Sequence, residues 1–350
     1  MQGTPAVSAI IVNWNGARHL RVCLPSLRSQ TFGSLEIMVV DNGSSDDSAE
    51  VAREFQVQWL GLQENMGLGP ALNRGAAIAA GDFLLFVNND MRFDPGFVVA
   101  LVEPLLKDDQ IFATDGMQYN WDGTAPGHLA ARLTNVRPNE PSSVELVPGL
   151  YFFQEPSAAA PVFMGSAASM MVRRAHFEKL RGFDDRLPLG YEDVELCWRA
   201  WIHGWKTVHI PKAVCWHRVG SSGHSLEGAR LNFRGIVKGR LLLAIKLLPR
   251  RYAFRTWVVS KFGLAKDLFR LRFRFALDRI GILMEMVSLF PQLRRERKML
   301  FRNAGSSPEK QLDFLLRLRE GGDVSVERST LEKNTKSSGR GHRRATRSAL

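Results

Sequence analysis

Residues 81–94 read GDFLLFVNNDMRFD, and this stretch decides the fold. Phe83–Val87 is an unbroken apolar run of strand length that stops at Asn88-Asn89-Asp90. A strand apolar on both sides belongs in the middle of a covered sheet, and open α/β sheets bind ligands beyond the carboxyl ends of such strands. Two amides and a carboxylate at that point are therefore candidate ligand groups. Asn and Asp are also ordinary turn residues, so a plain polar turn is the competing reading.

Upstream the same alternation of strand and helix repeats. Val7–Val12 is a short apolar strand, Asn13-Trp14-Asn15-Gly16 a turn, and Arg18–Gln30 has helical spacing with Leu20, Leu24 and Leu27 on one face. A second strand, Leu35–Val40, ends on Asp41-Asn42-Gly43-Ser44-Ser45-Asp46, where Ser44, Ser45 or Asp46 can cap a helix running through Phe55. Val57–Leu60 is a weak third strand, and the glycine-rich turn Asn65–Gly69 leads into a helix that ends near Gly81. Downstream, Asp94-Pro95 has the form of an N-cap and first helical residue for a helix to about Lys107, and Ile111–Thr114 is a further strand. Four such alternations predict an α/β fold with a mostly parallel, doubly wound sheet. Gly16-Ala17-Arg18 is not GxGxxG, which disfavours a dinucleotide-dependent dehydrogenase.

Tyr119–Pro161 is rich in Pro, Gly, Asn and Ser, lacks periodicity and reads as a long surface excursion. After it come MGSAASMMVRR, a short helix near Ala175–Leu180, the turn Gly182-Phe183-Asp184-Asp185 and an amphipathic helix over Glu192–His203. Thr207–Ile210 is a strand, and Val214–Ser222 carries His217 into a Gly/Ser turn.

Charge divides the chain. Through Gly228 there are 18 Lys and Arg against 25 Asp and Glu, while the remainder holds 29 against 10, which together give the net +12. The first two-thirds is thus a mildly acidic globule and the last third carries the basicity. Cys23, Cys197 and Cys215 are odd in number and lack metal-type pairing, which points to a reducing compartment. The N-terminus has no signal-peptide pattern, and no run of about 18 strongly apolar residues marks a spanning helix.

Six stretches in one order, IIVNWNG, VVDNGSSDDS, NMGLGPALNRG, LLFVNND, GFDDRLPLGYEDVELCWRAWIHGW and VCWHRVGSS, resemble family 2 glycosyltransferases of the GT-A fold, most closely the bacterial rhamnosyltransferase-like branch. The resemblance covers the acidic two-thirds. It implies a nucleotide-sugar donor, a divalent cation and a GT-A domain over 1–228. It also implies a glycan or polyprenyl-linked acceptor in cell-surface polysaccharide synthesis.

The resemblance distributes the site residues as follows. Asp41 would accept hydrogen bonds from the base or ribose, and Asn13, Asn88 and Asn89 would join the nucleotide-sugar site. Asn65, Gly67 and Asn73 line the next turn, where glycine admits close backbone approach and a helix N-terminus attracts phosphate; a plain loop-to-helix junction is the alternative. Asn88-Asn89-Asp90 stands where the family has DxD. With Asn88 in the place of the first acid, Asp90 is the main metal ligand and His217 the second, a set suited to Mn²⁺ somewhat better than Mg²⁺. Asp193 would be the general base of an inverting displacement; Glu192 points about 100° away from it on a helix and cannot share that task. Glu195 and Arg199 form an i,i+4 pair of structural kind.

Residues 229–320 alternate apolar clusters with Arg and Lys. Basic amphipathic helices carrying Trp and Phe tend to lie on anionic membrane surfaces, which would place the protein peripherally at the inner face of the cell membrane. The alternative is a helical appendage packed on the catalytic domain. Leu271-Arg272-Phe273-Arg274-Phe275 alternates with period two, which is strand-like. No nucleic-acid reading motif is present, so no nucleic-acid partner is expected. Residues 321–350 read as a disordered basic tail. Two rival functions are a catalytically silent member of the fold, favoured only by Asn88, and a nucleotidyltransferase, whose glycine- and arginine-rich loop is missing after the first strand.

Overall fold

The structure is a computed structural model that describes residues 6–318 apart from 125, 129, 140–142, 156–157, 188–189 and 219–225. The tail over 321–350 lies outside the described residues, as do positions 319 and 320 of the basic segment.

The first part follows the expected alternation: β1 (Val7–Asn13), α1 (Ala17–Arg28), β2 (Leu35–Asp41), α2 (Ser48–Glu54), β3 (Gln58–Gly61), α3 (Leu68–Ile78), β4 (Phe83–Asn88), β5 (Met91–Phe93), α4 (Phe97–Lys107) and β6 (Ile111–Asn120). Asp94-Pro95 forms a turn just ahead of α4, with Asp94 Oδ1 accepting from the Gly96 amide at 2.9 Å. Asp46 works on two helices. Its carboxylate accepts from the Ala17 amide at the start of α1 (3.0 Å) and from the Ser48 amide at the start of α2 (3.2 Å).

Tyr119–Pro161 departs from the expectation of an aperiodic excursion. It contains β7 (Pro126–His128), β8 (Ala130–Thr134), β9 (Val144–Val147), β10 (Leu150–Glu155) and the start of β11 (Ala160–Val162). Strands β8, β10 and β9 form a separate antiparallel sheet. Leu133, Leu146, Val147 and Leu150 pack into the same core as Trp198, so these short strands are a layer of the fold, held by burial that their composition conceals.

The chain continues through β12 (Met171–Arg173), α5 (Arg174–Lys179), α6 (Glu192–Ile202) and β13 (Lys206–His217). The large sheet has the order β11-β13-β6-β12-β4-β1-β2-β3, with β5 on β13 and β7 on β6. β1 runs parallel to β2 and β4, β2 to β3, and β6 to β13. β12 enters antiparallel between β4 and β6. Period-two alternation splits the central strands between two cores: Ile10, Leu84 and Phe86 face α3 and α6, while Ile11, Leu85 and Val87 face α1 and α4. All five side chains of Phe83–Val87 are at most 3% exposed, each worth about 1.5–3 kcal/mol in apolar burial.

Four helices complete the described chain: α7 (Leu226–Lys246), α8 (Arg250–Phe269), α9 (Phe273–Asn303) and α10 (Pro308–Leu316). Packing on the sheet's Trp198 core is what α7 and α10 do. Leu243, Ala244, Leu247 and Leu248 join the Trp198 core, as do Leu312 and Leu315. The opposite side of α7, with Val237, Leu241 and Leu242, meets Ile282, Met286 and Leu293 of α9. The strand-like alternation at 271–275 is no strand: Leu271 turns the chain at φ 55°, and helices lie on both sides. Among the described residues no helix is long and apolar enough to cross a membrane.

Candidate active site

The parallel register sets Asn13 of β1 beside Asp41 of β2 and Val12 beside Asn88 of β4, so three strand ends share one edge. There a chain of polar groups crosses the sheet. Asn89 Nδ2 donates to Asn13 Oδ1 at 2.7 Å, and Asn13 Nδ2 donates to Asp41 Oδ1 at 3.0 Å. Asp41 also accepts from the Ser44 amide at 2.9 Å and from the Ser44 hydroxyl. Gly16 makes the crossing possible: a Cβ there would stand 2.0 Å from Asn89 Nδ2 and 2.4 Å from Asn13 Oδ1.

The next turn is held by Asn42, which is 3% exposed. Its Nδ2 donates to Asn65 Oδ1 (2.9 Å) and Gly67 O (3.2 Å), and its Oδ1 accepts from the Met66 amide (2.9 Å). Gly67 has φ 92°, a conformation glycine adopts without penalty. Asn73 has a different task from the one expected. Its amide donates to Phe183 O (3.0 Å) and Asp185 Oδ1 (2.8 Å) and accepts from the Phe183 amide (2.9 Å). It clamps the Gly182–Asp185 turn and spends both its donors there.

Antiparallel pairing of β5 with β13 puts Met91 opposite His217. Asp90 Oδ1 then lies 3.2 Å from His217 Nε2, with side chains 10% and 18% exposed. The backbone repeats the contact, since the Arg218 amide donates to Asp90 O at 3.0 Å. His19 of α1, 9% exposed, is a third group in this neighbourhood. Burial lowers its imidazole pKa against the pull of the nearby Asp90 charge. Burial, with the same Asp90 charge, pushes the Cys23 thiol well up. Along the rim, the Arg92 guanidinium sits between Trp121 (5.0 Å) and Trp216 (4.6 Å), and Arg218 lies 4.4 Å from the Trp121 ring centre. Among the described residues no group of three His, Cys, Asp or Glu side chains could hold a metal ion on its own.

Asp193 lies in the first turn of α6. Its Oδ1 accepts from the Val194 amide (2.7 Å) and its Oδ2 from the Ala167 amide (3.5 Å). The next residue, Ala168, accepts from the Asn88 amide through its carbonyl at 3.1 Å. One short loop thus ties the first turn of α6 to the end of β4. α3 closes the other side: a Cβ at Gly69 would stand 3.3 Å from Leu187 O and 3.6 Å from Glu192 Cβ. Asp41, Asp90 and Asp193 therefore belong to one sheet edge, joined through Asn13–Asn89 and through Ala167–Ala168–Asn88. A cavity of about 810 Å³ lined by Leu27, Gln30, Gly33, Glu36, Gln58 and Ala80 opens at the other edge, where β2 and β3 begin, away from these acids.

Glu192 is 5% exposed, and its Oε2 finds no partner. Burial, with Asp193 beside it, raises the carboxyl to about 8. Tyr191, just before it, is left-handed at φ 71°. Its hydroxyl donates to Leu146 O (3.0 Å) and accepts from Arg240 Nε (3.1 Å), so β9 and α7 together fix the entry to α6. Behind the helix, Glu195 pairs with Arg199 (2.7 Å) and Lys246 (2.6 Å), and Lys246 reaches Asp184 (2.7 Å). Burial would raise the Glu195 carboxyl, but Arg199 and Lys246 hold it below the ordinary range.

Residues 8–181 match the profile described as glycosyl transferase family 2. Over 250 residues the chain is 30% identical to the N-acetylglucosaminyl-diphospho-decaprenol L-rhamnosyltransferase of Mycobacterium tuberculosis strain H37Rv, covering 63% of this chain and 78% of that one. The chain belongs to glycosyl transferase family 2. Glycosyltransferase GlyA of Streptococcus pneumoniae is 28% identical over 220 residues, and the chain spans only 30% of its length. Among solved structures, GalNAc-T7 with UDP, GalNAc and Mn²⁺ aligns with TM-score 0.52 at 19% identity, covering 71% of this chain and 49% of that one. The mannosyltransferase PcManGT of Pyrobaculum calidifontis, in complex with GDP-Man and Mn²⁺, aligns with TM-score 0.50 at 16% identity, covering 87% of each. At such identities these neighbours show the fold.

The family 2 match holds Asn13, Asp41 and Asp90 but ends ahead of α6 and β13. Asp193 and His217 are tied to this glycosyltransferase's strand ends by the contacts given above. Sequence reading passed over Asn42, His19 and Tyr191. The signal for Asn42 was its place directly after a strand-terminal acid. For His19 it was a polar residue inside the apolar spacing of α1. A large residue in the left-handed region leaves no mark in sequence.

Proposed function

We propose that this family 2 glycosyltransferase moves a sugar from a nucleoside-diphosphate donor to a hydroxyl of a glycan or polyprenyl-linked acceptor, with inversion at the anomeric carbon. The observation that carries this reading is the bridge from Asp193 through Ala167 and Ala168 to Asn88, which sets a carboxylate beside the Asn88–Asp90 turn. Rhamnose is the sugar proposed, on the strength of the mycobacterial relative's name.

Asp41, held rigid by Asn13 and Ser44, is the group offered to the nucleoside; Asn13, expected at the ligand itself, is fully buried with both donors on Asp41 and Ser44 and its oxygen on Asn89, so it supports Asp41 from behind. Fixed hydrogen-bonding groups need no reorganisation when the donor arrives. Asp193 accepts the proton of the acceptor hydroxyl as the oxygen attacks the anomeric carbon, and the bond to the diphosphate breaks on the opposite side. Burial and the neighbouring Asp193 both raise the Glu192 carboxyl, which disfavours a second negative charge next to that base. Asp90 and His217 would hold a divalent cation, Mn²⁺ or Mg²⁺. The fit rests on their donor chemistry: one carboxylate oxygen and one imidazole nitrogen already face each other, a mixed set that suits Mn²⁺. Such a cation neutralises charge on the leaving diphosphate. The enzyme works at the inner face of the cell membrane, a placement supported by the basic, apolar-faced helices of the last third.

Asp193→Asn tests the central claim. General base catalysis contributes about 10²–10⁴-fold. Transfer should fall on that scale while nucleotide-sugar binding, measured by calorimetry, and the melting midpoint hold. A normal rate with a lowered midpoint would make Asp193 a helix-capping residue and overturn the assignment.

A further inference from the structure

Helix α9 has two apolar faces, and only one is covered. Ile282, Met286 and Leu293 lie against α7. Phe273, Leu277, Ile280, Met284 and Val287 repeat at spacings of four and three and are all exposed. At 3.6 residues per turn the exposed set falls within roughly an 80° arc, about opposite the buried one. Helix α8 is built alike. Phe254, Phe262 and Phe269 lie on one face, 71%, 72% and 90% exposed, while Tyr252, Thr256 and Ser260 face inward.

The two exposed faces meet at the turn between α8 and α9. There Phe269, Leu271 and Phe273 alternate with Arg270, Arg272 and Arg274, and all six are exposed. Residues 268–277 contain no acid. The flanking acids are buried and paired: Asp267, 4% exposed, with Arg279 at 3.0 Å and, more distantly, Arg272 at 3.8 Å, and Asp278, 7% exposed, with Arg230 at 2.8 Å. An apolar surface of this extent on a lone soluble protein marks an interaction site.

Resting on the membrane placement made under Proposed function, we propose that the α8–α9 turn and the outer face of α9 dock on an anionic lipid bilayer, the aromatic tip entering the headgroup layer. Charge chooses the occupant. Aromatic side chains gain most at the boundary of headgroup and acyl chain, and arginines beside them gain from the negative surface. A protein partner would have to supply acids threaded between apolar pockets at the same spacing. The docking face is rigidly related to the site, because α9 packs on α7 and α7 holds Tyr191 through Arg240.

The test uses the full chain in sedimentation with phosphatidylglycerol-containing vesicles and with phosphatidylcholine vesicles, without nucleotide sugar. The wild type should bind the former and release as salt is raised. Each arginine near an anionic surface is worth about fivefold in partitioning, so R270Q/R272Q/R274Q should lower it about a hundredfold. F269S/L271S/F273S should lose binding at every salt concentration. Both variants should keep wild-type transfer to a short water-soluble acceptor, which shows that they fold. Wild-type indifference to phosphatidylglycerol, or tip variants that bind as well as wild type, would overturn the proposal. Self-association in ultracentrifugation that the same substitutions abolish, without vesicle binding, would assign the face to a second copy and also overturn it. Vesicle binding by a wild type that transfers no sugar would sink the catalytic reading and leave this one standing.

Discussion

Gly239→Ala puts one methyl group into α7, remote in sequence from every acid of the site. A Cβ at that position would stand 2.6 Å from Tyr191 Cδ2, 2.8 Å from Cγ and 2.9 Å from Cβ. Carbon pairs rest at about 3.5–4.0 Å, so the ring must retreat by about 1 Å. It has little room. Its hydroxyl is held by Leu146 and Arg240, and its backbone is already left-handed at φ 71°. Glu192 and Asp193 follow directly, so the displacement is passed to the first turn of α6. Alanine in a helix interior normally gains about 1 kcal/mol over glycine. Overpacking costs about 1–3 kcal/mol, which cancels or reverses that gain. A misplacement of about 1 Å at reacting groups costs about 10²-fold in rate. The expected outcome is an unchanged or lowered melting midpoint, transfer down by about that factor, and near-normal nucleotide-sugar binding. Gly281→Ala in α9 is the control, because a Cβ there meets nothing within 4 Å. It should raise the midpoint slightly and leave kcat alone. A raised midpoint with normal kcat for Gly239→Ala would refute the claim that α7 positions the start of α6.

Three further substitutions read the site's charges. The Glu192 carboxyl is raised from 4.5 to about 8 in the folded protein, so its contribution to stability is fully present below 4.5 and is lost as pH rises through about 8. Glu192→Gln should flatten the fall of the melting midpoint between about pH 4.5 and 8 relative to wild type, and parallel profiles would show that the carboxyl ionises freely in place. Asp90→Ala should abolish divalent-dependent turnover, while His217→Ala should weaken Mn²⁺ affinity in titration by less. Full activity of the Asp90 variant in Mn²⁺ would remove the metal role.

The strands that bear the site were legible because their burial is written as composition. Phe83–Val87 has the length and all-apolar make-up of a covered strand, which sets the polar residues that follow it at the strand's end. The strand ends carrying Asn13, Asp41 and Asn88 follow from the same logic; of Ser44, Ser45 and Asp46, all offered as caps of α2, the structure uses Asp46, which accepts from the Ser48 amide. What the sequence hid was non-local. Asn73 sits among residues of ligand type, yet its partners are Phe183 and Asp185, and no local pattern reports a contact across 110 residues. β8, β9 and β10 are four to six residues long and lie among Pro and Gly, too short for alternation to register. At 271–275 the period was real but its cause was not a sheet. Alternating apolar residues and Arg at a tight turn leave residues 271–274 exposed and set Phe275 against Phe233, so the pattern records surface chemistry instead of pleating.

The buried charges behind α6 have a consequence for anyone recombining this protein. Asp184, Glu195, Arg199 and Lys246 are satisfied only as a set, and Arg186 and Glu296 extend it to α9. Glu195 has no solvent exposure to fall back on. Breaking a buried pair by removing one partner costs about 3–5 kcal/mol, a large fraction of the stability of an ordinary domain. A chimera spliced near residue 228 would keep Arg186 and Arg199 beside these carboxylates but leave Lys246, which bridges Asp184 and Glu195, with the discarded helices. New acceptor or surface preferences have to be grafted onto the exposed sides of α8 and α9, with the inward sides of α7 and α9 carried along unchanged.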